Sequence, residues 1–149
     1  LQFDGGSHFQ LWGALFLNGD FHHTEQALIE VLAHESAHSL LFGFCTETAL
    51  VENTDDVLFV SPLRPDPRPM DGIYHATFVS ARMHWAMSRL VGSRLLDGAG
   101  KEAVLAALAG GIRNFDAGYG VVAEFGRLTP LGAALIGEAK SYMDAATRR

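Results

Sequence analysis

Cysteine is nearly absent from this chain, since Cys45 is the one example among 149 residues. A lone thiol excludes a disulfide framework, so we expect a reducing compartment, the cytoplasm, and a role for Cys45 as a small core residue. Long apolar runs are missing as well. No stretch reaches the ~18 residues of a transmembrane helix, and no signal peptide opens the chain. We therefore expect neither membrane insertion nor secretion.

Basic residues are few: 11 Lys and Arg are outnumbered by 17 Asp and Glu, which gives a net charge of −6. They are scattered rather than gathered into a stripe, so no nucleic-acid partner is expected. With 48% hydrophobic residues, residues 1–149 suffice for a single domain with a real core. The chain opens on Leu1 in strand-like sequence, which leaves room for a missing N-terminal region or a second chain as a partner.

The most informative segment is the pentapeptide HESAH, in which His34 and His38 flank Glu35 and two small residues. On an α-helix, residues four apart share a face, so both imidazoles can address one divalent ion, while Glu35 lies about 100° around the helix. Unliganded histidines among apolar neighbours would be costly to bury. The pentapeptide therefore predicts a metal site, which still needs a third ligand.

The remaining pattern predicts a mainly α fold with a small N-terminal β element (α+β). Apolar residues at helical spacing, N-cap candidates and glycine stops mark five helices. The expected order is one or two strands in 9–17, a turn at 18–20, the metal helix from the N-cap Thr24 to Gly43, a loop to Val60, a helix from the N-cap Asp71 to Gly92, helices over 101–115 and 119–127, and a last helix over 129–146.

Four of the five prolines fall within residues 61–69, SPLRPDPRP. Such a segment cannot form a helix or a central strand, so it predicts a stiff extended loop. Arg64 and Arg68 lie on this loop with little backbone freedom, which reduces the entropy lost when a guanidinium binds an anion. The alternative is that the segment is only a rigid linker.

His75 is the preferred third metal ligand, because two antiparallel helices with a compact connection can face one another across a single ion. We expect such a zincin-like pair of facing helices to carry the site. A carboxylate from Glu47, Glu52 or Asp71 remains an alternative third ligand.

Two further residues of the second helix are judged by their spacing from His75. His84 is half a turn out of register with it, which favours a supporting role. Arg82 is seven residues after His75, hence nearly on its face and about 10 Å along the axis. Its guanidinium is a candidate to hold the distal carboxylate of a metal-chelating ligand, and the alternative is an ordinary salt bridge.

A zinc metallopeptidase is one function that this pentapeptide suggests, with Glu35 acting as the general base on zinc-bound water. The longer HExxHxxGxxH pattern is absent, however, and no Met-turn is evident. A third possibility, from a different class, is a non-catalytic helical module in which four protein ligands close a structural metal site.

The central block favours another function. LAHESAHSLLFGF, followed by SPLRPDPRPMDGIYHATFVSAR, resembles a family of bacterial HExxH proteins associated with peptide natural-product modification (RiPP biosynthesis). That family is described as 2-oxoglutarate-dependent, iron-requiring peptide β-hydroxylases. The resemblance implies an Fe(II) dioxygenase acting on a peptide, with His34, His38 and His75 as metal ligands.

The resemblance also implies a cation for 2-oxoglutarate, supplied by Arg64, Arg68 or Arg82. An arginine suits this task because it binds a carboxylate through two hydrogen bonds. Iron oxygenases usually use two His and one carboxylate, so a third His is a departure from that set. Glu35 would then act beside the metal, orienting a ligand or bonding to metal-bound water.

Overall fold

The computed structural model describes residues 4–148. Within that range, helices dominate and two small antiparallel sheets accompany them. The elements are β1 (Gly5–Ser7), a 3-10 turn (Phe9–Leu11), β2 (Leu15–Leu17), α1 (Glu25–Phe44), β3 (Leu58–Phe59), β4 (Arg68–Pro69), α2 (Met70–Val91), α3 (Gly98–Phe125) and α4 (Pro130–Thr147). The expected class, mainly α with a small N-terminal β element, is confirmed.

The N-terminal hairpin pairs Gly5 with Leu17 and Ser7 with Leu15. Of the one or two strands expected in 9–17, β2 is present, and a 3-10 turn capped by the His8 side chain takes the place of strand before it. The expected turn at 18–20 is present, with the Asp20 amide donating to Asn18 Oδ1 over 3.1 Å. The strand-like character of the first three residues lies outside the described residues.

Helix α1 begins as its sequence predicts and ends slightly later. The Thr24 hydroxyl accepts a hydrogen bond from the Ala27 amide at 3.1 Å, which confirms Thr24 as the N-cap. Gly43 does not stop the helix, which continues to Phe44. A Cβ at Gly43 would lie only 3.1 Å from the Trp12 ring. This glycine therefore makes room for the hairpin and does not act as a C-cap.

Helix α2 begins before its predicted start. Its N-cap is Pro69, and no side chain caps it, so the prediction of Asp71 as N-cap is wrong. Pro69 belongs to β4, which pairs with β3, and the chain passes directly from that pair into the helix. Asp71 instead lies in the first helical turn, where its negative charge interacts favourably with the helix dipole.

Helix α3 is one continuous helix from Gly98 to Phe125, so the predicted break between 115 and 119 is wrong. Gly118 lies where that break was expected. A Cβ there would lie 2.2 Å from Thr77 Oγ1, so the glycine permits close approach of α3 to α2. Packing between helices thus accounts for a residue that local propensity alone would assign to a helix end.

The core surrounds α2, which packs against each of the other three helices. Its fully buried members include Tyr74 and Met70 of α2, Phe115 of α3 and Leu41 of α1. Cys45 packs against this core as a free thiol. None of the helices described in residues 4–148 combines the length and the apolar character that crossing a membrane requires.

Candidate metal centre

The three histidines predicted as metal ligands lie together between α1 and α2. The ring centroids of His34 and His38 are 4.9 Å apart, and those of His38 and His75 are 5.7 Å apart. The helical spacing accounts for the first distance, and the packing of α2 on α1 accounts for the second. The His75 side chain is 12% exposed and that of His34 is 38% exposed, so the cluster extends from the interior to the surface.

The environment keeps the inner imidazoles neutral. Burial lowers the pKa of His38 to about 4, with further lowering from the charges of His34 and His75. Burial also lowers the pKa of His75, and the Asp71 carboxylate opposes that shift. Neutral imidazoles keep a ring-nitrogen lone pair available, which is the form that binds a metal ion.

The three histidine rings are neighbours, but their nitrogens do not point at one common metal position. Among the side chains of residues 4–148, no group of three or more His, Cys, Asp or Glu is already arranged to hold a metal ion. His34 Nδ1 instead lies 3.4 Å from Met83 Sδ on α2. The donor set fits a transition metal by its chemistry and its proximity, while its nitrogens do not converge.

Of the carboxylates proposed as alternative third ligands, Asp71 lies closest to the cluster. Its Oδ1 is 3.8 Å from His75 Nε2. Glu47 and Glu52 are exposed, and within the described range neither lies within ion-pair distance of a cluster histidine. A carboxylate contribution would therefore come from Asp71, on the same helix as His75.

Glu35 is directed towards the N-terminal hairpin. Only 6% of the residue is exposed, and its Oε2 accepts a 2.7 Å hydrogen bond from Ser7 Oγ of β1. Its Oε1 lies 4.0 Å from His34 Nε2. A Cβ at Gly5 would lie 2.6 Å from Val31 Cγ2 and 3.2 Å from Glu35 Oε1, so β1 approaches α1 as closely as only glycine permits.

The three candidate arginines occupy different places. Arg64 lines a cavity of about 370 Å³ together with His34, Glu35 and His22. In the same cavity, the carboxylate of Glu30 accepts a hydrogen bond from Gln26. Among residues 4–148, no carboxylate lies within ion-pair distance of Arg64.

The other two arginines contact residues outside the predicted ligand set. Arg68 Nε lies 2.8 Å from Asp66 Oδ2. The Arg82 guanidinium lies 5.1 Å from the centroid of the Trp85 ring and lines cavities that exclude the three histidines. Of the three candidates, Arg64 is thus the arginine that shares a cavity with a histidine of the HESAH motif.

Sequence reasoning did not single out Phe42 and Ser7, which contact residues of the site. Phe42 stacks on His38 with centroids 6.2 Å apart and lies 5.9 Å from the His75 ring. Phe42 lies four residues after His38, and this helical spacing would have predicted their contact. Ser7 was missed as the partner of Glu35, and no local pattern pointed to it because 28 residues separate the two.

His84 lies away from the cluster. Its Nδ1 is 2.9 Å from the Tyr142 hydroxyl of α4, on the other side of α2 from His75. Near the start of α1, a His22 ring nitrogen lies 2.8 Å from the Asp4 carbonyl oxygen, and the ring lines the Arg64 cavity. Neither histidine therefore joins the predicted ligand set.

Comparison with known proteins gives no independent assignment. No family model matches the sequence, and no curated protein is significantly similar to it.

Proposed function

We propose that this chain is an Fe(II)- and 2-oxoglutarate-dependent oxygenase that hydroxylates a side-chain β-carbon of a peptide. The observation that carries the proposal is the grouping of His34, His38 and His75, with ring centroids 4.9 and 5.7 Å apart along the cluster. The resemblance of the central block to HExxH peptide β-hydroxylases supplies the reaction type. When bound, iron and 2-oxoglutarate would supply the oxidising chemistry, which activates dioxygen.

The proposed role of the histidines is to present neutral nitrogen donors from two rigid helices. Low pKa values for His38 and His75 support this role, because neither ring must lose a proton at neutral pH before binding a metal. Phe42 packs beside both inner rings and adds an apolar surface to the cluster. Three imidazoles add no negative charge, so compensation would come from the two carboxylates beside the cluster, Asp71 at His75 and Glu35 at His34.

Arg64 is the proposed cation for 2-oxoglutarate. It shares a cavity with His34, and none of the described carboxylates forms an ion pair with it. Its position on a proline-rich loop limits the freedom lost on binding. A guanidinium there would hold the distal carboxylate through two charge-assisted hydrogen bonds while the keto-acid end faces His34, the cluster histidine that lines this cavity.

Under this proposal Glu35 is a positioning residue. Its carboxylate is buried and bonded to Ser7, which ties the hairpin to the helix that carries both motif histidines. Fixing that helix keeps the spacing of the two rings constant. In this role Glu35 takes no part in proton transfer.

The test is oxygen uptake by the purified protein supplied with ferrous iron and 2-oxoglutarate, with and without candidate peptides. We expect consumption of dioxygen that depends on 2-oxoglutarate and leaves succinate. Arg64→Gln should weaken the dependence on 2-oxoglutarate, whereas Arg113→Gln, on the exposed face of α3, should not. Complete absence of 2-oxoglutarate-dependent uptake would reject the proposal.

A zinc peptidase is the second candidate, and the 4.0 Å distance between Glu35 Oε1 and His34 Nε2 is the observation that favours it. Glu35→Gln separates the two functions. The amide oxygen can still accept the Ser7 hydrogen bond, so an oxygenase should retain most of its activity. A peptidase should retain zinc and lose cleavage, because the amide cannot act as a general base.

A further inference from the structure

A second cavity, of about 580 Å³, lies between the C-terminal part of α2, the middle of α3 and the end of α4. His84 lines it, whereas His75 of the metal cluster does not. The two residues are nine positions apart on α2, which places them half a turn out of register. The cavity is therefore separate from the candidate metal centre.

Polar side chains form a connected group on one wall of this cavity. The Tyr142 hydroxyl lies 2.9 Å from His84 Nδ1 and 3.4 Å from Ser88 Oγ. Ser88 Oγ donates its proton to the Trp85 carbonyl at 2.7 Å, so its lone pairs remain available as acceptors. Burial lowers the pKa of His84, which keeps that imidazole neutral.

Arg89 supplies the positive charge at this wall. Its guanidinium lies 5.6 Å from the centroid of the Trp85 ring, which restrains the side chain by a cation–π contact. No carboxylate of residues 4–148 lies within ion-pair distance of Arg89, and no Asp or Glu lines the cavity within that range. With His84 neutral, the cavity carries one net positive charge.

Apolar side chains complete the cavity. Leu108 and Ile112 project from α3, and Ala145 and Ala146 line it from α4. Ligand cavities of this size, roughly 300–1,000 Å³, typically combine such apolar walls with a few polar groups that orient the ligand.

We propose that this cavity binds a monocarboxylate with an apolar body. The carboxylate would lie against Arg89 and the Tyr142 hydroxyl, and the hydrocarbon against Leu108 and Ile112. One positive charge matches a monoanion better than a phosphate dianion, and a guanidinium binds a planar carboxylate through two parallel hydrogen bonds. The ligand is either a free organic acid or the C-terminal carboxylate of an apolar peptide. This site stands independently of the proposed oxygenase function.

Calorimetric titration of the whole chain tests the proposal with three probes: 4-phenylbutanoate, the neutral 4-phenylbutanamide, and N-acetyl-Phe-Leu with a free C-terminus. We expect saturable binding of at least one carboxylate and none of the amide. Arg89→Gln should weaken binding by about tenfold or more, because a hydrogen bond to a charged group is lost. Arg113→Gln is the matched control, since Arg113 lies on α3 and does not line the cavity.

Tyr142→Phe gives a second variant that keeps the ring packing and removes only the hydroxyl. It should also weaken binding of the carboxylate. Preference for the free acid or for the peptide supports the site and identifies the source of the carboxylate. Failure of both carboxylates to bind at millimolar concentration would overturn the proposal. Equal binding of the amide, or affinity unchanged by Arg89→Gln, would do the same.

Discussion

Ser7 Oγ donates a 2.7 Å hydrogen bond to Glu35 Oε2 and so joins the N-terminal hairpin to the helix that carries the HESAH motif. One carboxylate oxygen of Glu35, the residue that the motif suggests as a hydrolytic base, is thereby used in a structural contact. Trp12 makes a second connection, because its Nε1 donates to the Ser39 carbonyl at 2.8 Å. The hairpin is thus fixed to α1 at Glu35, between the two motif histidines, and at Ser39, directly after His38.

Removing the Ser7 hydroxyl should destabilise the protein. Ser7→Ala leaves a buried carboxylate short of one hydrogen bond, which costs about 1–3 kcal/mol. Ser7→Thr keeps the hydroxyl and should lose less. Urea unfolding curves of the three proteins measure the difference. A free energy of unfolding for Ser7→Ala equal to that of the wild type would show that the contact contributes nothing.

Close approach of the hairpin can be tested at neighbouring glycines. In Gly5→Ala the new methyl group would lie 2.6 Å from Val31 Cγ2, whereas at Gly6 nothing lies within 4 Å. We expect Gly5→Ala to cost about 1–3 kcal/mol through overpacking and Gly6→Ala to cost much less. Thermal unfolding followed by circular dichroism measures both. Equal loss in the two variants would contradict the packing described for β1.

The contact between α2 and α3 can be tested with a similar pair of glycine variants. Gly118→Ala would place a methyl group 2.2 Å from Thr77 Oγ1, while Gly120 faces open space. Gly118→Ala should therefore lower the melting temperature, and Gly120→Ala should raise it slightly, because alanine is favoured over glycine in helices by up to about 1 kcal/mol. Thr77→Ala in the Gly118→Ala background should restore part of the loss. A stabilised Gly118→Ala would contradict the close approach.

Several features followed from sequence because they depend on neighbours along one helix. The spacing of His34 and His38 and the Thr24 cap belong to that class. The role of Gly118 in α3 did not, because local propensity treats a glycine as a break, whereas this one lets α3 approach Thr77 of α2. The Asp71 cap failed for a related reason, since pairing of β4 with β3 sets where α2 begins.

The site divides in the same way. The face of His75 followed from helical periodicity, so its nearness to His38 was predictable once the two helices were expected to pack. Choosing among Arg64, Arg68 and Arg82 was not possible, because the choice depends on how the proline-rich loop folds over α1. The contact of Ser7 with Glu35 could not be predicted either, because it depends on the tertiary fold and joins residues 28 positions apart.

The pH dependence of stability should include a contribution from His84. Burial lowers its folded-state pKa below the ordinary 6.5, so the unfolded chain binds more protons just below that pH. The stability contribution is therefore fully present above about pH 6.5 and is lost as the pH falls.

Comparison with His84→Gln isolates this contribution, because the other histidines titrate in both proteins. The wild type should lose more stability than the variant between about pH 6.5 and 5, measured by urea unfolding at each pH. Parallel pH profiles for the two proteins would rule out a shifted His84.

The central claim is that His34, His38 and His75 bind iron that then takes up 2-oxoglutarate. Anaerobic titration with ferrous iron and 2-oxoglutarate, followed by visible absorption, tests it most directly. We predict a saturable metal-to-ligand charge-transfer band that is lost in His75→Ala and retained in His84→Ala, the matched histidine on the opposite face of α2. Absence of the band in the wild type, or its survival in His75→Ala, would contradict the account.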